Sequence, residues 1–352
     1  MRPMEDAQES NASTGWITLL GDAARTGGLG LRPTRAPSQV RWQLRLGRSI
    51  RGAPILDAGI LYVASIEGTL HAITVAVGRR KWVFHSAGGC HATPSIAGNN
   101  VLFGSDDGKV YAVDCGSGKL VWEVATGAEV WTSPVIRNGI VYFGSADANI
   151  YAVDALSGAP RWKTSLASKI YSTPYVSESQ LYVGCGDGTL YSLDVASGKI
   201  VWGAETRKGI DSSPALAGAT VVVGSEDFCV YALDAATGVV RWKYETGLGI
   251  ASSPAISNGI AAIGSKDGYL YAFDVQSGQL RWRVRAGEVI TSPPVFSQGA
   301  ICIQAAGLIA FDIVTGKTLW RAGLGGAVQS APVLSGETIY ISSLDGEVYA
   351  LG

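Results

Sequence analysis

The stretch IGSKDGYLYAFDVQSGQLRW, residues 263–282, is one of eight versions of a single passage in this 352-residue chain. Its last residue belongs to a regular series. Trp42, Trp82, Trp122, Trp162, Trp202, Trp242 and Trp282 stand 40 residues apart, and Trp320 follows after 38. A unit of about forty residues cannot bury a core alone and must stack on its neighbours. Within the passage, YLYAFD (269–274) alternates in the period of a strand. Asp267-Gly268 before it reads as a two-residue hairpin with positive φ at both central positions. Ser277-Gly278 after it is a second turn, and the tryptophan strand follows.

Working outward adds two more strands to each unit. GIASSPAI (249–256) is the first, with proline recurring at Pro54, Pro94, Pro134, Pro174, Pro214, Pro254, Pro294 and Pro332. Proline has no N–H to give a ladder, so this strand belongs at a sheet edge, here the one bordering a central channel. After a turn such as Ser257-Asn258-Gly259 comes the second strand, as in IVYFGS (140–145). Four antiparallel strands per unit, repeated radially, predict an all-β fold: an eight-bladed β-propeller. The chain enters on a tryptophan strand, VRWQL (40–44), and stops on a third strand, VYAL (348–351). The N-terminal strand is therefore expected to complete the last blade. Residues 1–15 read as a flexible tail, 16–39 as a lead segment packed on the propeller, and 40–352 as one propeller domain.

Each indole is expected to cover the neighbouring blade. Asp114, Asp154, Asp194, Asp234, Asp274 and Asp312 precede a tryptophan by eight residues, and the Asp and the turn backbone offer partners to its N–H. Blade 1 departs from this, with His71 and Thr74 in place of the third-strand Tyr and the Asp, which predicts a looser seat.

Bulk properties narrow the function classes. Charged residues are 16% of the chain and the net charge is −1, which gives no electrostatic footprint for nucleic acid or an anionic membrane. Residues 1–14 lack an apolar stretch, and no run is long enough to span a bilayer, so a cytoplasmic monomer is expected. Cys90, Cys115, Cys185, Cys229 and Cys302 lie in different repeats without disulfide or zinc spacing. The acids of the hairpin turns read as turn chemistry, and no metal site is predicted.

The recurring pattern Y-x-G-S-x-D-G-x-L-Y-A-L-D-x-x-S/T-G-x-x-x-W, present in YFGSADANIYAVDALSGAPRW (142–162), resembles the repeat of the PQQ-like (pyrroloquinoline-quinone-repeat, quinoprotein-like) β-propeller family over residues 40–352. GWITLLGDAARTG (15–27) is similar to the approach segment of many single-domain members. The resemblance implies the propeller and leaves several functions open: PQQ- and calcium-dependent dehydrogenases, assembly lipoproteins, sensor domains and stand-alone propellers. Adjacent cysteines, insertions between blades and a lipobox cysteine are missing, which disfavours PQQ with calcium and the lipoprotein reading.

Specificity is sought where the copies disagree. Three residues before the recurrent proline they read Arg51, His91, Trp131, Tyr171, Asp211, Ala251, Thr291 and Gln329. This ring is expected at the channel mouth. There Arg51 would hold an anion, Trp131 and Tyr171 would stack a planar ligand, and His91 with Asp211 would exchange protons. The opposing reading places the same side chains between blades. The expected function is a binding or scaffolding propeller that takes a small molecule or a protein segment at its mouth. The alternative is a stand-alone enzyme with His91 or Asp211 as acid/base.

Overall fold

The computed structural model describes residues 36–287, 289–305, 307–323 and 330–352. The proposed tail, most of the lead segment, and Gln329 lie outside the described residues.

Blade 6 shows how the repeat folds. Ala255–Ser257, Ile260–Gly264, Tyr269–Asp274 and Leu280–Arg285 pair in chain order, all antiparallel, with Ile260 opposite Asp274 and Ala272 opposite Trp282. Eight such sheets form the propeller. Strands two and three are almost wholly buried, while the outer strand alternates between exposed and half-buried residues. The core lies between blades. Val222 and Val230 of blade 5, for example, share one cluster with Ile256, Ile263 and Phe273 of blade 6.

The two hairpins of a blade differ. At the first, Asn258 and Gly259 have φ of 49° and 74°, the pair of left-handed residues that a two-residue turn needs. The second hairpin corrects the Asp-Gly reading. Only Gly268 is left-handed (φ 84°); its N–H donates to Ser265 O, and Ser265 N–H donates to Tyr269 O. This is a tight turn closed by one left-handed residue, which leaves Asp267 in ordinary backbone and frees its carboxylate. Oδ2 then accepts the Tyr271 hydroxyl at 2.7 Å and Gly247 N–H at 2.8 Å, tying the turn to the loop by which the chain approaches the blade. Asp107, Asp147 and Asp227 repeat both bonds.

Blades are joined near the axis by hydroxyls that precede the prolines. Ala53 N–H donates to Thr93 Oγ1, Thr93 N–H to Ser133, Ser133 N–H to Thr173, Thr173 N–H to Ser213 and Ser213 N–H to Ser253, at 2.9–3.1 Å. The first strands therefore border the axis, as the prolines implied, and Pro293 breaks the hydroxyl series at blade 7.

Further out the tryptophans do the joining. Trp202 Nε1 donates to Ala235 O of the next blade at 3.1 Å, and the indole lies on Gly238 of the same turn. The polar partner is thus a carbonyl one blade on, in place of the Asp eight residues back. That Asp is occupied locally: Asp194 Oδ1 accepts both the N–H and the hydroxyl of Ser197. Blade 1 does not have the looser seat that Thr74 suggested. Trp82, eight residues after Thr74, reaches Cys115 O of the next blade at 3.0 Å, because a main-chain carbonyl is present whatever the side chain.

Closure takes the expected form. Val40–Arg45 pairs with Glu347–Leu351 to complete a four-stranded sheet of residues from both ends of the chain. Ser342 Oγ donates to Gly52 O, joining blade 8 to blade 1 near the axis.

Candidate functional site

The variable ring sits just before the first strands, beside the second hairpins. Three consecutive members form a continuous stack. His91 and Trp131 have ring centroids 5.0 Å apart at 33°, and Trp131 and Tyr171 are 4.9 Å apart at 27°. Asp106, in the hairpin of blade 2, locks the first two together. Its Oδ2 accepts His91 Nε2–H at 3.0 Å, and its Oδ1 accepts Trp131 Nε1–H at 2.6 Å. The carboxylate fits there because Gly89 has no side chain: a Cβ on it would lie 2.6 Å from Oδ2. Trp131 nonetheless remains 38% exposed, unusual for a tryptophan whose ring and N–H are both engaged.

The expected roles are partly redistributed by this geometry. His91 and Tyr171 both pack on the Trp131 ring, so a planar ligand stacking on the indole would compete with one of them. The indole edge and the second face of Tyr171 are what the stack offers. His91 and Asp211 are not brought together; they lie three blades apart, and His91 spends its Nε2 proton on Asp106. Arg51 is exposed, with no ion pair among the described residues, while Ala251 and Thr291 are half-buried.

Beyond Tyr171 the ring is charged. Asp211 is exposed and has no hydrogen-bond partner among the described residues. Beside it, Glu226 is paired with Lys266 at 2.6 Å. Although Asp211 keeps accessible surface, the mouth wall partly desolvates its carboxyl and raises its pKa; Glu226 adds to the rise and Lys266 offsets it. The folded state therefore holds the proton more tightly than the unfolded chain, and stability falls as pH climbs through the folded value. Asp211→Asn is expected to raise the melting temperature at pH 7, with the gain vanishing below about pH 4, where the unfolded carboxyl is also protonated. Thermal melts at both pH values check this; no gain at pH 7 would remove the desolvation argument.

Asp106, Glu226 and Lys266 were missed in the sequence, although the same signal marks them. One residue before the hairpin acid, the seven copies that have one read Ile66, Asp106, Ala146, Gly186, Glu226, Lys266 and Leu344. The stereotyped acid beside this position hid its variety.

Among the described residues no three His, Cys, Asp or Glu side chains gather to hold a metal ion. Hairpin acids such as Asp107 and Asp147 are spent on tyrosine hydroxyls and backbone N–H groups, and the central indole already carries two packed rings.

Comparisons with known proteins agree with the architecture. The family model described as outer membrane protein assembly factor BamB matches residues 34–145 and 146–352. None of the curated proteins matches by sequence. Among solved structures, BamB from Moraxella catarrhalis is 20% identical with a TM-score of 0.76, covering 89% of this chain and 99% of its own. Quinohemoprotein alcohol dehydrogenase from Comamonas testosteroni is 15% identical with a TM-score of 0.83, covering 97% and 81%. The computationally designed Ika8 protein is 19% identical with a TM-score of 0.78, covering 87% and 97%. At these identities the likenesses show the fold.

Proposed function

The chain belongs to the PQQ-like β-propeller family described as outer membrane protein assembly factor BamB, and from that premise we propose that it is a binding module whose mouth face holds a protein segment. The observation behind this reading is the His91–Trp131–Tyr171 stack fixed by Asp106. Partly exposed aromatic rings held in one geometry lose little conformational freedom when a partner arrives, which is what makes tryptophan and tyrosine effective anchors. The two rings already packed on the indole disfavour a flat small molecule. A free edge and one open tyrosine face suit side chains of an extended segment crossing the mouth. The family description, an assembly factor, points the same way.

A phage-displayed peptide library selected on the protein tests this reading. Enriched peptides are expected to lose at least tenfold in affinity on Trp131→Ala, the loss typical of a central aromatic anchor. Failure to enrich any sequence, or equal binding to the variant, would overturn it. Because Trp131 is partly exposed, a matching melting temperature of the variant excludes loss of folding as the cause.

A further inference from the structure

The aromatic stack ends abruptly. His91, Trp131 and Tyr171 follow one another on blades 2, 3 and 4 at steps of 4.9–5.0 Å, and the next ring position, on blade 5, is Asp211. No aromatic ring covers the second face of Tyr171 among the described residues. The hairpin residue that fills the corresponding space on blade 2 is Asp106, whose carboxylate bridges two ring members. On blade 4 its counterpart is Gly186. The adjoining loop residue is Gly209, whose Cβ would lie 3.3 Å from Gly186 O, so two glycines meet here with no side chain between them. A stacking face, a carboxylate at the next position and a rim of two glycines, with Ser168 Oγ 3.2 Å from where a Cβ on Gly186 would lie, therefore coincide in one sector.

Lys169, Lys208 and Lys266 flank this sector, the first two exposed and without an ion pair among the described residues. Glu226 is neutralised by Lys266. Lys208, in the same loop as Gly209, has its Nζ drawn over the Phe228 ring at 4.7 Å. Asp211 is left as the carboxylate without a partner.

We propose that the gap between Tyr171 and Asp211 takes a guanidinium, the side chain of an arginine in the bound segment, stacked on Tyr171 and paired with Asp211. The assignment rests on the reading that the mouth holds a protein segment, and it names that segment's chemistry. A guanidinium is planar, stacks on aromatic faces and presents a fork of N–H donors that matches a carboxylate; an ammonium meets only the charge requirement. The bound arginine would extend the stack by one member and supply the counter-ion that Asp211 lacks.

The probes are the capped pentapeptide Gly-Gly-Arg-Gly-Gly and its citrulline and lysine counterparts, titrated into protein carrying 15N-labelled tryptophan. The indole N–H signal of Trp131, assigned by its absence in Trp131→Phe, is the readout. The arginine peptide is expected to shift this signal saturably, the lysine peptide to bind severalfold more weakly, and the isosteric, uncharged citrulline peptide to leave it unmoved. Asp211→Asn and Tyr171→Leu are each expected to weaken arginine binding about tenfold. Equal shifts from arginine and citrulline, undiminished binding by Asp211→Asn, or no shift from any of the three would overturn the guanidinium assignment. None of these outcomes touches the library test, because peptides that depend on Trp131 could still be selected without an arginine.

Discussion

A chain that begins at residue 47 is expected to aggregate, because the propeller cannot close without the strand it has lost. Val40–Arg45 is the outer strand of blade 8, with Gln43 opposite Tyr349 and Leu44 opposite Val348. Ser38 and Gln39 N–H both reach Gly352 O, and Gly352 N–H returns to Gln39 O. Trp42 makes the same loss felt across the seam, since its N–H reaches Val75 O of blade 1 and its ring lies 5.9 Å from Tyr340 of blade 8. Removing such an indole costs about 3 kcal/mol and each lost ladder bond about 1 kcal/mol, against the roughly 5–15 kcal/mol that holds a folded domain together. Tyr349 and Leu351, now buried, would form an unpaired and partly apolar sheet edge, the kind that recruits other chains. The soluble fraction after expression measures the effect. A peptide spanning residues 36–47, added during refolding, should restore soluble protein. A soluble truncated monomer with an unchanged melting temperature would show that the seam is not what holds the ring closed.

That closure was legible before any coordinates because the strand count and the strand order were both written in the repeat. Trp42 begins the series one strand ahead of the first full blade and Leu351 ends it on a third strand, so only one arrangement leaves no strand unpaired. The turn acid was less legible. Asp267-Gly268 has the composition of one turn and the geometry of another, and the difference depends on where Asp267 sends its carboxylate, a contact with Tyr271 and Gly247 that alternation cannot reveal. The tryptophan partner was misplaced for a related reason: a side-chain acid eight residues away is visible in the sequence, whereas the carbonyl of residue 235 looks like every other carbonyl. At the mouth, disagreement between copies identified His91, Trp131 and Tyr171. Their stacking upon one another depends on side-chain direction, and Asp106 as the clamp depends on Gly89 leaving it room.

The repeated glycine of the outer turn permits a test of the indole seat with its own control. Gly238 and Gly259 share a left-handed backbone, both at φ 74°. A Cβ on Gly259 would meet nothing, while one on Gly238 would lie 2.6 Å from Trp202 Cε3 and 2.7 Å from Cδ2. Gly259→Ala is therefore expected to cost only the backbone term, about 1 kcal/mol. Gly238→Ala adds displacement of the indole and strain on its 3.1 Å bond to Ala235 O, for a total of about 3 kcal/mol. Trp202→Ala alone should cost about 3 kcal/mol as well, since the half-buried ring also packs 5.8 Å from Tyr182. In the Trp202→Ala background the obstacle is gone, so Gly238→Ala should fall back to the cost of Gly259→Ala, leaving a coupling of about 2 kcal/mol between residues 202 and 238. Denaturant melts of the four chains Trp202–Gly238, and of Gly259→Ala with and without the indole, measure each term. Equal costs for the two glycines in the parent protein would mean that the indole yields freely. The spacing of forty residues would then reflect turn geometry alone, without the blade-to-blade contact that makes each tryptophan a fastener of the ring.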